Sequence, residues 1–297
     1  METIEELQKR IQSTEDLQAV VKTMKSLAAV KIRQFQKAAE SLTDFTDTVL
    51  AALRVVLRSG TDLWVRQRGN GPPERAGCIV FGSDQGMCGQ LNDQVVSRAL
   101  EEMARLGKDR ENLVVISAGQ RAAARLGVEG QPLAATLAMP GSVDAIADKV
   151  QDLLLKIGDW NEARRVGEVF LFHAKPTGGA SYRTEATRLL PVDRSWLRRL
   201  QEDPWPTRML PLFTMDREAL FRELIRQYLF AELFRAFAES LASENASRLA
   251  SMQGAERNIR ERLSELNQRY HQQRQLSITA ELLDIVSGFE ALQDPSQ

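Results

Sequence analysis

The stretch SLASENASRLASMQGAERN, Ser240–Asn258, is dominated by alanine and serine and contains no proline. It lies in a segment, residues 212–294, that has no proline and only two glycines, Gly254 and Gly288. Apolar residues recur along this segment at spacings of three and four, which predicts one long helix. The series is Leu224, Tyr228, Ala231, Phe234, Ala238, Leu241 and Asn245, then less regularly Leu249, Met252 and Ala255, then Ile259, Leu263, Leu266 and Tyr270. Ser240–Asn258 is therefore the part of a long helical arm with the smallest side chains.

A second uninterrupted arm opens the chain, because residues 1–59 contain neither proline nor glycine. Its apolar series resembles a heptad seam, with a register slip of one residue at Thr14. The predicted seam is Leu17, Val21, Met24, Ala28, Lys31, Phe35, Ala38, Leu42, Phe45, Val49, Ala52 and Val56. As helices the two arms would extend roughly 90 and 110 Å, against ~30 Å for a small domain. We expect the N- and C-terminal helices to pair as an antiparallel coiled-coil rod.

The middle of the chain, residues 70–205, is different because it holds most of the prolines and alternates between strand and helix patterns. AGCIVFGS, NLVVISAG, GEVFLFHAKP and SYRTEATRLLPV read as strands, with a turn at Gly178 and Gly179. QLNDQVVSRALEEMARLG, QRAAARLG and SVDAIADKVQDLLLKIG read as helices. This alternation predicts a Rossmann-like α/β domain. The expected organisation is a helix over 1–60, an α/β foot domain over 70–205, a helix over 212–290 and a tail over 291–297.

Composition excludes several classes of protein. The 39 Lys and Arg against 40 Asp and Glu give a net charge of −1, so no bulk field attracts nucleic acid. Two cysteines and two histidines are too few for a disulfide framework or for a His/Cys zinc cluster within one chain. The N-terminus lacks a signal-peptide pattern, and no apolar run approaches the ~18 residues of a membrane span. We expect a cytosolic protein that is able to dock on a membrane complex.

The segment GSDQGMCG, residues 82–89, is the place where a phosphate loop would sit between a strand and a helix. It contains neither the Walker spacing nor G-x-G-x-x-G, so a tight turn is the favoured interpretation. Cys88 would be a thiolate nucleophile if a helix N-terminus lowered its pKa. The only possible histidine bases, His173 and His271, lie in a predicted strand and in the last arm, which disfavours a Cys/His pair. We expect Cys88 to be a buried thiol, and no catalytic, cofactor-binding or metal-binding residue is assigned.

The two arms differ in the kind of positive charge that they carry. Between Leu17 and Ala39 the first arm has no carboxylate and five cations: Lys22, Lys25, Lys31, Arg33 and Lys37. This local field indicates an acidic partner surface, with a solvated helix face as the alternative. The last arm contains arginine but no lysine, and the arginines singled out are those at positions 248, 257, 260, 262, 269 and 274. These guanidinium groups suit carboxylate partners or salt bridges within the rod.

Three motifs at both ends and in the middle of the chain resemble the central-stalk γ subunit of F-type ATP synthases. VVKTMKSLAAVKIRQFQKA (Val20–Ala38) is similar to the family's I-T-K-A-M-K-M-V-A-A-x-K-L/M-R. SDQGMCGQLN (Ser83–Asn92) is similar to D-R-G-L-C-G-G-L/F-N. LASENASRLASM and YHQQRQLSITAELLDIVSGFEAL match the C-terminal pattern of the family. Chance similarity between coiled coils would not reproduce three ordered motifs.

The resemblance implies a non-catalytic rotor without a cofactor of its own, present as a single copy. Its paired helices would turn inside the ring of α and β subunits, and its α/β domain would contact the ε subunit and the membrane-embedded c-ring. Torque would pass between ion transport and ATP synthesis. The implied location is the cytoplasmic side of the inner membrane, peripheral to the bilayer.

The resemblance also assigns contacts with the catalytic ring. The matched positions are Met24, Lys25, Arg248, Arg274, Gln275 and Thr279. Departures from the family pattern occur at Ser26, Gln85, Gln90, Gln272 and Gln273. They suggest a divergent bacterial variant, with the alternate or sodium-translocating type left open.

Two other functions stay open on the sequence alone. An α/β enzyme with helical arms would bind a nucleotide or substrate at residues 82–89. A coiled-coil adaptor would bind partners without rotating.

Overall fold

A computed structural model of the chain describes residues 3–60, 75–163, 166–178, 181–205, 209 and 211–293. Gly179 of the predicted turn and residues 294–297 of the predicted tail lie outside these ranges. The helices are α1 (Ile4–Arg58), α2 (Leu91–Arg105), α3 (Gln120–Val128), α4 (Asp144–Ala163), α5 (Arg194–Glu202) and α6 (Arg217–Gln293). The strands are β1 (Arg75–Phe81), β2 (Leu113–Ala118), β3 (Ala135–Leu137), β4 (Val166–Gly178) and β5 (Ser181–Leu190).

The five strands form one sheet in the order β3-β2-β1-β4-β5. The β1 strand lies at the centre and pairs in parallel with β2 and β4, whereas β4 and β5 pair antiparallel. Side chains of β1 alternate between two hydrophobic clusters. Cys78 and Val80 pack with α2 and α3 residues on one face, and Ile79 and Phe81 pack with α4 and α6 residues on the other. The sheet is therefore a central layer with helices on both faces, as predicted for an α/β fold.

The chain divides into two compact units, one made of Met1–Leu27 with Ala250–Gln297 and the other of Ala28–Leu249. In the first unit, Gln8 of α1 donates to the Tyr270 hydroxyl of α6. In the second unit, Arg235 of α6 donates to Thr46 of α1. Each unit contains a further hydrogen bond between the two arms. Lys25 donates to Glu256 in the first unit, and Arg217 donates to the carbonyl of Ser59, just after α1, in the second. In each unit, rising numbers in α1 meet falling numbers in α6, so the predicted antiparallel pairing is confirmed.

The predicted seam of α1 is partly wrong. Leu17 and Phe45 are exposed, whereas Thr14 and Gln18 are half-buried and Thr46 is buried. No register slip occurs, because the buried and half-buried positions include one series that alternates steps of four and three throughout. In the first unit this series is 7, 11, 14, 18, 21 and 25, and in the second it is 28, 32, 35, 39, 42, 46, 49, 53 and 56. The error arose because polar residues occupy seam positions that an apolar pattern cannot show.

The predicted series of α6 is confirmed, since every member from Leu224 to Tyr270 is buried or half-buried. Among the residues that the structure describes, no helix combines the length and the apolar character needed to cross a bilayer. The domain limits expected from the sequence stay a prediction. The α/β unit, Ala28–Leu249, includes parts of both long helices together with the sheet.

Candidate functional site

Helix α6 crosses the sheet at the end of β1, where β4 continues beyond its parallel pairing with β1. The Ser243 hydroxyl donates to the Ala174 carbonyl of β4 at 3.1 Å. One helical turn on, the Ser247 hydroxyl donates to the Cys88 carbonyl in the loop after β1 at 2.6 Å. In doubly wound folds, this crevice at the carboxyl ends of the strands is where ligands bind. Here a helix of the same chain occupies it.

Small side chains bring α6 close to the sheet. The residues of α6 from Leu241 to Arg248 are all buried, and Ser240 and Ser243 are fully buried. Alanines 242 and 246 lie between the serines and are also buried. A larger side chain at these positions would have to displace the strand ends or the loop after β1. The serine and alanine content of Ser240–Arg248 therefore reflects packing within this chain.

The buried guanidinium of Arg248 links α6 to the loop after β1. It forms a 2.6 Å ion pair with Glu244, and each of the two side chains is 8% exposed. It also donates to the carbonyls of Gln85 and Gly86 at 3.3 and 3.4 Å. Burial raises the pKa of Glu244, and the charge and hydrogen bond of Arg248 oppose that rise. The loop thus presents acceptors to a cation, the opposite of the donors that a phosphate requires.

The loop between β1 and α2 is held by hydrogen bonds of its own. Asp84 accepts from the backbone amides of Gln120 and Met139, which anchors the start of α3 and the segment after β3. Asn92 donates to the Ser83 hydroxyl at 2.9 Å and to the Cys88 sulfur at 3.3 Å. Cys88 is 2% exposed, so the expectation of a buried thiol is confirmed. Burial raises the pKa of the other thiol, Cys78, to about 12.

The six residues matched to ring contacts occupy different surroundings. Arg274, Gln275 and Thr279 are exposed near the end of α6, and Met24 is half-buried. Lys25 is held by a 2.6 Å ion pair with Glu256 of the same unit. Arg248 is the exception, because the structure gives its side chain an internal role. Contact between each of these residues and a partner stays a prediction.

Other cations of the arms also have partners within their own helix. Arg260 pairs with Glu256 at 3.1 Å and Arg262 with Glu265 at 2.9 Å, which confirms salt bridges within the last arm. In α1, Lys22, Arg33 and Lys37 are exposed. The expectation of an acidic partner for the basic segment stays a prediction.

Sequence reasoning missed an apolar surface at the end of α6. Six large apolar side chains there are between 47% and 68% exposed: Leu276, Ile278, Leu282, Leu283, Ile285 and Val286. Within this unit, Gln8 of α1 contacts Tyr270, and α1 begins at Ile4. An antiparallel pairing therefore runs out of α1 residues near residue 274, while α6 continues to Gln293. The sequence contained a signal of this surface, because apolar residues continue along the last arm beyond the length of the first arm.

Ser243→Val tests the close approach of α6 to the sheet. The two added methyl groups meet a filled space, and the change removes the hydrogen bond to Ala174. We expect the free energy of unfolding to fall by about 2 kcal/mol, measured by urea denaturation. Ser264→Val at an exposed position of the same helix is the matched control. Equal stability of the two variants would contradict the packing role.

Arg248→Met tests the buried ion pair. The change leaves the Glu244 carboxylate without its counter-charge, so we expect a loss of about 3 kcal/mol in urea denaturation. Arg262→Met, which breaks an exposed pair of the same helix, should cost no more than about 0.5 kcal/mol. Adding Glu244→Gln to Arg248→Met should restore part of the loss. If the double variant is the less stable one, the unpaired charge is not the cause.

Comparisons with known proteins agree over nearly the whole chain. A sequence model of the family described as ATP synthase matches residues 3–292. The "ATP synthase gamma chain" of Rhizobium etli (strain CIAT 652) is 27% identical over 296 residues, which cover 98% of this chain and all of the relative. The protein of the same description from Pelagibacter ubique (strain HTCC1062) is 26% identical over 314 residues, with the same coverage.

Solved structures share the fold. The rotor of the Euglena gracilis mitochondrial ATP synthase in rotational state 1 matches with a TM-score of 0.62 at 17% identity, covering 93% of this chain and 98% of that one. A central stalk and c-ring structure of the Tetrahymena thermophila mitochondrial ATP synthase matches with a TM-score of 0.57 at 20% identity, covering 80% and 99%. At these identities the likeness concerns the arrangement of helices and strands.

Proposed function

This chain belongs to the gamma-subunit family of the F-type ATP synthases, and we propose that it is the central-stalk rotor of such a complex. In this role it transmits torque between an ion-translocating membrane ring and a catalytic ring during ATP synthesis. It carries out no chemistry itself. The catalytic sites belong to the partner subunits.

The apolar end of α6 is the observation that carries this proposal. Six exposed large apolar side chains lie on a helix end with no α1 residue opposite it among the described residues. Apolar surface of this kind is typical of a protein interface. At about 100° per residue, the six side chains fall within one half of the helix circumference. They form one broad apolar face, which a partner subunit in a collar around the helix end would bury.

The helix pairing and the filled crevice support the same role. A torque-bearing element gains stiffness when two helices are locked by a regular seam, as α1 and α6 are within each unit. The crevice at the ends of β1 and β4 is occupied by Ser243, Ser247 and Arg248, which argues against the open enzyme-like alternative. A non-catalytic subunit is consistent with both features.

We assign to this chain the partners of the γ-subunit family. They are the α and β subunits around the helix end, and the ε subunit and c-ring at the α/β domain, with one copy of this chain in each complex. Met24, Lys25, Arg248, Arg274, Gln275 and Thr279 are the proposed ring contacts, and the exposed three at the end of α6 are the most accessible. The complex would lie on the cytoplasmic side of the inner membrane. The alternate or sodium-translocating type stays a prediction, because ion choice belongs to the membrane ring.

Leu282→Glu and Ile285→Glu test the collar. A carboxylate in place of a buried apolar side chain removes about 1.5 to 3 kcal/mol of binding energy, so each change should weaken binding to the purified α3β3 ring at least about tenfold. The measurement is surface binding of the full chain to the ring. Val128→Glu, at an exposed apolar position of α3, is the control and should bind normally. Normal binding by both α6 variants would overturn the collar.

Rotation of the assembled complex separates a rotor from a static adaptor. A Val128→Cys variant places an exposed thiol on α3, whereas Cys78 and Cys88 are buried and should react slowly. A bead attached to this thiol, with the α3β3 ring fixed to a surface, should rotate in one direction when ATP is added. The chain alone should hydrolyse no ATP. A complex that hydrolyses ATP with a stationary bead would support the adaptor.

A further inference from the structure

A cluster of four charged or titratable side chains lies where β4, β5 and α6 meet. His173 comes from β4, Glu185 from β5 and Glu239 from α6, and one candidate ligand atom from each lies within 4.8 Å of the others. The His173 Nε2 atom is 3.0 Å from a Glu239 oxygen. The fourth side chain is Lys175 of β4. The cluster lies within the α/β unit, and the rotor proposal does not use it.

Two side chains of the cluster are largely buried, and one carboxylate oxygen in it lacks a hydrogen-bond partner. The side chains of His173 and Glu239 are 7% and 13% exposed. Glu185 Oε2 is buried and has no hydrogen-bond partner. Buried polar atoms are normally satisfied, so this oxygen is one that a bound cation would satisfy. His173 Nδ1 is also unpaired, but it is the other ring nitrogen from the Nε2 atom that meets Glu239.

Lys175 shows that a cation already sits between the two carboxylates. Its ammonium nitrogen lies 3.5 Å from Glu239 and 3.6 Å from Glu185. Both distances exceed the ~2.7–2.9 Å of a charge-assisted hydrogen bond, so the ammonium is a loosely held counter-ion. The Lys175 side chain is 36% exposed and can turn toward solvent.

The surrounding charges leave the two carboxylates available. Glu232 and Arg235 of α6 pair with each other at 3.0 Å. Arg183 lies 3.8 Å from Glu185, but its side chain is 63% exposed and its charge is screened by water. Burial raises the pKa of Glu239, and the hydrogen bond from His173 together with the charge of Lys175 outweighs it, so the net pKa is lowered.

We propose that His173, Glu185 and Glu239 form a binding site for a divalent transition-metal ion of the zinc class, which displaces the ammonium of Lys175 into solvent. One imidazole and two carboxylates are ligands that Zn²⁺ accepts, with water in the fourth position. Imidazole favours zinc over magnesium or calcium. The bound ion would join α6 to β4 and β5 and stabilise the α/β unit.

The geometry requires one modest adjustment. Tetrahedral ligands at ~2.0–2.2 Å from zinc lie roughly 3.4 Å apart. His173 and Glu239 are already closer than this, and the 4.8 Å limit leaves at most about 1.4 Å for Glu185 to close. Glu185 is the ligand with room to move, because its side chain is 31% exposed.

Metal titration of the full chain tests the site. Protein stripped with a chelator and desalted is titrated with Zn²⁺ by calorimetry, and with Co²⁺ by visible spectroscopy. We expect one Zn²⁺ per chain and the d–d bands of a tetrahedral Co²⁺ site. Glu185→Gln should weaken binding by more than the roughly 10- to 100-fold that outer-shell changes cost. His271→Gln, which removes the exposed histidine of the other unit, should bind as the parent protein does.

Lys175→Met provides a test that misfolding cannot imitate. Because it removes the competing ammonium, we expect tighter Zn²⁺ binding and a higher thermal midpoint in the presence of the metal. The proposal is overturned if neither the parent protein nor Lys175→Met binds Zn²⁺ in the micromolar range. It is also overturned if Glu185→Gln binds equally well, or if the Co²⁺ spectrum shows thiolate charge transfer, which would place the ion at a cysteine.

Discussion

The close approach of α6 to the ends of β1 and β4 is the contact on which the α/β unit depends. Strand carbonyls and loop carbonyls at a sheet edge need donors, because buried backbone groups are rarely left unpaired. The Ser243 and Ser247 hydroxyls donate to the carbonyls of Ala174 and Cys88. The Arg248 guanidinium donates to the Gln85 carbonyl of the loop after β1. The helix thereby takes the place that a bound ligand has in other folds of this topology. A side chain longer than serine would separate the helix from the acceptors that it serves.

Polar pairing inside this contact fixes the position of the helix more than it adds stability. A buried ion pair such as Glu244 with Arg248 gains little over apolar packing, but it is costly to break on one side. Glu244 moves with Arg248 because both lie on α6, but the carbonyls of Gln85 and Gly86 belong to the loop after β1. A rotation or a one-turn shift of α6 would therefore remove the loop acceptors from the buried guanidinium. The polar contacts therefore select one register among several that small side chains would accept.

Much of this arrangement is predictable from the sequence, because hydrophobic spacing reports long helices and buried strands. The α6 series from Leu224 to Tyr270 and the strand patterns were correct for this reason. The same reasoning failed in α1 at Thr14, Gln18 and Thr46. These polar residues occupy seam positions, whereas the apolar Leu17 and Phe45 do not. The three-residue β3 and the charged α5 were not predicted, because β3 is too short for a period and α5 has few apolar residues.

The candidate site shows a different limit, because a sequence gives the type of a side chain but not what lies opposite it. Arg248 and Arg274 are both arginines of one helix, yet one is buried against its own chain and the other is exposed. The character of the neighbouring residues gives the distinction. Before Arg248, Asn245 and Ser247 are polar and yet buried, whereas after Arg274, Leu276 and Ile278 are large and apolar and yet exposed. Polar residues are usually exposed and apolar residues are usually buried. Helix α6 departs from this relation at two places. Each reversal marks a surface that the coiled coil does not explain. At Ser240–Arg248 it is the contact with β4 and with the loop after β1, and beyond residue 274 it is the surface proposed to meet a partner.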